Sequence, residues 1–101
     1  MKKEEIIIQT DEVKVRLMEL QPEETTPWHF HTQVTDHFFG ISGEIEVRMN
    51  DPAESVILAP GVRCQVEKGR AHQVVNLSEK EPSRYLLIQG VGRYDFIKAP
   101  E

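Results

Sequence analysis

Alternation with a period of two runs through most of the chain. It is cleanest in EIEVRM, where Ile45, Val47 and Met49 alternate with Glu44, Glu46 and Arg48, the pattern of a strand with one buried and one solvated face. VKVRLMEL, residues 13–20, predicts a half-buried strand with Val13, Val15 and Leu17 on one face and Lys14 and Arg16 on the other. In residues 62–67 Val62, Cys64 and Val66 share a face. Shorter β-prone runs occupy residues 5–9, 28–32, 36–41, 54–58, 72–77, 84–91 and 94–97. Breaks separate them: Thr10-Asp11-Glu12, a loop bracketed by Pro22 and Pro27, Gly43, Asn50-Asp51-Pro52, Pro60-Gly61, Lys68–Ala71 and a charged loop at 78–83. About ten short strands result, and no stretch of helical length carries a helical period. The pattern predicts an all-β sandwich or barrel.

Length and composition narrow this only modestly. A chain of 101 residues makes one domain with one core, so residues 1–101 are read as a single domain. Lys+Arg number 12 against 17 Asp+Glu, for a net charge of −5. Arg16, Arg48, Arg63, Arg70, Arg84 and Arg93 are scattered rather than gathered into a stripe that could track phosphates, which argues against a nucleic-acid partner. Ile6-Ile7-Ile8 is too short for a signal peptide's apolar region or a membrane span. The single cysteine, Cys64, cannot form an internal disulfide, as befits the reducing cytoplasm, which is the expected location. Mid-strand between valines, Cys64 reads as a small core residue rather than a nucleophile.

The chemistry concentrates at His29-Phe30-His31. Residues two apart on a strand share a face, roughly 6.6 Å apart along it, so both imidazoles can reach one ion. On a helix they would diverge by about 200°. Asp36 follows shortly, and His72 lies 41 residues after His31. Three imidazoles and a carboxylate suit a divalent transition metal (Fe, Mn, Ni, Cu, Co or Zn), with no preference legible. His37 points to the face opposite Asp36, Gln33 is a weaker oxygen donor, and Phe38 is the aromatic expected to line a pocket over the metal. Arg48, Arg84 and Gln89 are weak candidates for anchoring a substrate carboxylate.

These residues resemble two motifs of the cupin family, small double-stranded β-helix (jelly-roll) barrels. The first reads G-x5-H-x-H-x(3,4)-E-x6-G; His29, His31, Asp36 and Gly43 reproduce it, with Asp36 replacing Glu and Glu23 replacing the leading Gly. The second reads G-x5-P-x-G-x2-H-x3-N; Gly61, Gly69, His72 and Asn76 match it, with Glu67 replacing Pro. The resemblance covers roughly residues 13–98. It implies a jelly-roll barrel with His29, His31, Asp36 and His72 as metal ligands at its mouth, and Gly43, Gly61 and Gly69 at turns. Asp36 reaches about 1.5 Å less far than Glu, one carbon–carbon bond. Its carboxylate is expected to bind directly, through water, or not at all, the three histidines carrying the ion in the last case.

The resemblance implies a metal-dependent enzyme of dioxygenase, isomerase or lyase type acting on a small organic acid, sugar or diketone. The alternative is a non-catalytic module that captures a small ligand or metal. No residue is assigned a catalytic role. No Ser or Cys sits in a nucleophile elbow, which argues against a hydrolase. Ile6-Ile7-Ile8, within the N-terminal segment 1–12, is the candidate contact for a homodimer.

Overall fold

A computed structural model describes residues 3–100. Ten strands form: β1 (Lys3–Gln9), β2 (Lys14–Leu20), β3 (His29–Phe30), β4 (Thr35–Ser42), β5 (Ile45–Met49), β6 (Glu54–Leu58), β7 (Arg63–Val66), β8 (His72–Asn76), β9 (Ser83–Gly90) and β10 (Ile97–Lys98). They pair antiparallel in two five-stranded sheets, ordered β1-β2-β9-β4-β7 and β10-β3-β8-β5-β6. This is the expected all-β jelly roll, with no helix among the described residues.

The inner faces of the two sheets enclose one core. Met18, Leu20, Phe38, Ile45, Val47, Leu58, Cys64, Val66, Val74 and Tyr85 are all buried in it. Cys64 is thus the core residue its neighbours suggested. Ile45, Val47 and Met49 face inward as the alternation of β5 requires.

In β2 the phase is the reverse of a simple reading. Arg16, Met18 and Leu20 face inward, whereas Val13, Val15 and Leu17 are only half-buried. On the outer face Val15 lies opposite Ile88 and Leu17 opposite Leu86 of β9, so these side chains cover one another across the sheet. Val62 also departs from its group: it lies just before β7 and is exposed.

Turn geometry follows the motif glycines. Gly43, Gly61 and Gly69 have φ of +80, +85 and +82°, the left-handed region that costs glycine nothing. At Gly43 space also decides, because a Cβ there would stand 2.2 Å from Ser83 Oγ. Glu23, where the motif has its leading glycine, adopts φ +63°. The backbone keeps the glycine conformation although the residue is not glycine.

β1 pairs with β2 alone and lies at the sheet edge with every residue exposed, Ile6, Ile7 and Ile8 at about half their full area. The run expected at 94–97 is a strand only over Ile97–Lys98. Residues 91–96 are irregular and close over one end of the barrel.

Candidate metal centre

Both sheets contribute to one cluster at that end. His29 on β3 is the direct cross-strand partner of His72 on β8, so the two imidazoles share a face with ring centroids 4.3 Å apart. His31 leaves the strand just after Phe30. Its carbonyl accepts the Gly69 amide at 2.7 Å, tying the first motif to the turn of the second. Asp36 comes from β4 in the other sheet, paired across the ladder with Gln89 of β9. His29, His31, Asp36 and His72 are all buried, and one potential ligand atom from each lies within 4.8 Å of the others. Among the described residues these four form a group that could hold a metal ion.

Hydrogen bonding fixes how the imidazoles point. Nδ1 of His29 donates to the Pro27 carbonyl at 2.7 Å, Nδ1 of His31 to the Asp95 carbonyl at 2.5 Å, and Nδ1 of His72 to the Arg70 carbonyl at 3.0 Å. A carbonyl can only accept, so each Nδ1 carries the hydrogen and each Nε2 presents a lone pair unless a second proton is added. Backbone carbonyls of this kind orient metal-binding histidines. Asp36 Oδ2, another acceptor, lies 3.0 Å from His72 Nε2 and 3.3 Å from His31 Nε2. Acceptors gather this closely only around something positive, either protons or a metal ion. The donor set therefore fits a divalent transition ion.

The electrostatics agree. Burial pushes Asp36 up, but the hydrogen bonds and charges of His31 and His72 outweigh it and hold the carboxyl far below its ordinary range. For His31, burial alone would lower the pKa; the Asp36 hydrogen bond and charge, with the Asp95 carbonyl, win and raise it. Burial, reinforced by the charge of His72, depresses His29 to about 4.

A network extends from the cluster into sheet β1-β2-β9-β4-β7. Gln89 Nε2 donates to Asp36 Oδ1 at 3.0 Å, Arg16 Nη2 donates to Gln89 Oε1, and Arg16 Nη1 donates to Glu4 Oε2 at 2.8 Å. Over the top, Phe96 stacks on His29 at 4.3 Å and Tyr94 lies 5.3 Å from His31. Asp95 secures this cap by accepting from the Thr32 amide and hydroxyl. Gly92 lets the cap begin: its amide donates to the Glu12 carbonyl, and a Cβ there would fall 2.3 Å from the Gln33 carbonyl oxygen. Beneath the cap is a cavity of about 40 Å³ whose lining includes Arg16, His29, His31, Asp36, Gln89 and Tyr94.

The sequence-predicted residues thus divide plainly. His29, His31, Asp36 and His72 come together, and Phe38 lines the cavity as expected. Gln33 is exposed, and His37 lies on the opposite face of β4, half-buried. Arg48 and Arg84 are exposed and pair with Glu46 and Glu19. Gln89 does belong to the site. Arg16, Tyr94 and Phe96 were missed. Arg16 could have been found by phasing β2 on Met18 and Leu20; residues 94–96 read as the start of a terminal strand, and nothing in that reading pointed to a cap over the cluster.

The sequence profile described as Cupin domain matches residues 16–89. No curated protein matches the chain. Among solved structures, an uncharacterised Klebsiella pneumoniae protein with a double-stranded β-helix domain superposes with a TM-score of 0.84 at 21% identity, over 99% of this chain and 85% of that one. The polyketide cyclase RemF of Streptomyces resistomycificus gives 0.82 at 18% identity, over 99% and 72%. Oxalate oxidase in complex with the substrate analogue glycolate gives 0.78 at 17% identity, over 87% of this chain but 46% of that one. At such identities these likenesses describe the fold. With two motifs, the jelly roll and a family profile spanning most of its length, the chain belongs to the cupin family.

Proposed function

We propose that the protein is a metal-dependent enzyme that binds a divalent transition ion through His29, His31 and His72, with Asp36 as the fourth donor, and acts on a small molecule held beneath the cap. The observation that carries this reading is the convergence of buried acceptors on one point, each imidazole fixed by its own backbone carbonyl. An ion held there supplies Lewis acidity or, for a redox metal, reactivity with dioxygen. The chain's own residues orient the donors, exclude water with Phe96 and Tyr94, and hold Asp36 ionised. Asp36 is the sole carboxylate among the described cavity-lining residues. That inventory favours reactions centred on the ion, of dioxygenase, isomerase or lyase type, over those needing a separate carboxylic acid and base.

Elemental analysis of untagged protein purified without chelator, beside His72→Ala, tests the reading. Near-stoichiometric metal in the wild type and its loss in the variant is the expected result. No metal, even after incubation with Fe(II), Mn(II), Ni(II) or Zn(II), would overturn it. Metal binding without turnover in oxygenase, isomerase and lyase screens would instead favour a module that captures its ligand.

The unpaired outer edge of β1 and its exposed isoleucines support the expectation of a homodimer. Sedimentation should find a dimer in the wild type and a shift toward monomer in Ile6→Asp/Ile8→Asp; a wild-type monomer at micromolar concentration removes that part of the proposal.

A further inference from the structure

Arg16 is a cation inside a barrel. Only 6% of its surface is exposed, and a buried guanidinium is costly unless its charge and its N–H groups are matched. Glu4 accepts from Nη1 and Gln89 from Nη2. The Tyr94 ring lies 5.5 Å from the guanidinium carbon. Nε is buried and has no hydrogen-bond partner among the described residues. It belongs to a residue that lines the cavity beside His29, His31 and Asp36. An unmatched donor on a buried cation, next to a cavity, marks a place for an acceptor.

Charge and size describe that acceptor. A divalent ion against Asp36 leaves one positive charge, and the Arg16–Glu4 pair adds none, so a monoanion completes the balance. The cavity of about 40 Å³ holds about three water-sized groups at roughly 10–15 Å³ each. A carboxylate head, one carbon and two oxygens, is that size. Arginine is also the side chain whose N–H geometry suits carboxylates.

We propose that the cavity selects a small monocarboxylate, one of whose oxygens accepts the Arg16 Nε–H while the other oxygen lies toward the histidine–aspartate cluster. This rests on the metal-site reading above and names its substrate class. Arg16 is then the specificity-determining residue, and Gln89 holds it in register with Asp36. A neutral amide of the same shape can still accept from the Nε–H through its carbonyl oxygen, but it loses the charge attraction and the stronger charge-assisted bond, so it binds less well.

The test uses Zn(II)-loaded protein, with acetate as the probe and acetamide as its neutral isostere. Calorimetry gives the affinity, and the Arg16 Nε–H resonance reports the contact directly. Acetate is expected to bind and to move that resonance, and acetamide to do both more weakly at equal concentration. Arg16→Met and Arg16→Lys are expected to weaken acetate at least tenfold with zinc stoichiometry at the wild-type level. An unmoved Nε–H resonance at saturating acetate overturns the inference, as does equal binding of acetamide or undiminished acetate affinity in folded variants. The resonance needs no substitution, so it decides the matter even if both variants fail to fold. If zinc does not bind the wild type, the metal-site reading fails separately, and acetate titration of the metal-free protein followed at the same resonance then decides the role of Arg16.

Discussion

Two polar clusters lie buried in this barrel, and the same strands build both. At one end Asn76 Nδ2 donates to the carbonyls of Leu20, Gln21 and Glu81, while its Oδ1 accepts from Ser83 Oγ and the Ser78 amide. Ser83 Oγ in turn accepts from the Glu44 amide. Every donor there has an acceptor within the chain. At the other end His72 lies four residues before Asn76 on β8, about 13 Å away at ~3.3 Å per residue, and Gln89 lies on β9 beyond Tyr85 and Leu87. There acceptors face acceptors, and the Arg16 Nε–H has no partner among the described residues. Apolar Val74, Tyr85 and Leu87 separate the two. A closed network is complete without a ligand and serves the fold; an open one is complete only with something bound.

That difference predicts opposite consequences for two substitutions on one strand. Asn76→Ala strips the partner from several buried groups, at about 1–3 kcal/mol for each left unsatisfied. A loss of about 3 kcal/mol in the denaturant unfolding of metal-free protein is expected, with the metal stoichiometry of the folded fraction unchanged. His72→Ala should cost the metal-free protein less than Asn76→Ala, because it relieves a cluster of facing acceptors. It should, however, abolish the stabilisation that added metal gives the wild type, about 2.7 kcal/mol at a hundredfold excess over Kd. Were Asn76→Ala to lose metal binding while folded, or His72→Ala to be the more damaging to the metal-free protein, the division between the clusters would collapse.

How much of this the sequence disclosed follows from the same physics. Alternation and turn residues were enough for ten strands, because each one-sided strand must expose its polar face. The four clustered site residues were legible because motif spacing encodes strand geometry. The phase of β2 was not: Val15 and Leu17 on one face and Met18 and Leu20 on the other are both apolar, and alternation counted from Val13 put Arg16 on the polar face, whereas it is buried with Met18 and Leu20. The reach of Asp36 was open as well. Its carboxylate lies 3.0 Å from His72 Nε2 despite the missing methylene, held from behind by Gln89, its partner across the β4–β9 ladder. The cap was hidden for a different reason. Tyr94 and Phe96 act through an irregular segment anchored by Asp95 on Thr32, a contact 63 residues distant in sequence.

The smaller effect that separates the clusters is pH. With no ion bound, Asp36 keeps His31 protonated above its ordinary pKa, whereas His29 is held down to about 4. A divalent ion must displace the His31 proton, so affinity should fall as pH drops below the raised His31 pKa, by up to about tenfold per unit for that proton. His29 adds a further proton only near its own depressed value, and Asp36 stays ionised throughout, so neither sets where the fall begins. Asp36→Asn removes the group that raises His31; the fall should then begin at lower pH, on top of a weaker affinity overall. Asn76→Ala should leave the profile where it is, since nothing in its network titrates with the site. Co(II) binding followed by visible absorption across about pH 5 to 8 reads all three profiles. A flat wild-type profile, or an Asp36→Asn fall that begins at higher pH, would mean that the His31–Asp36 contact does not hold the proton the metal replaces.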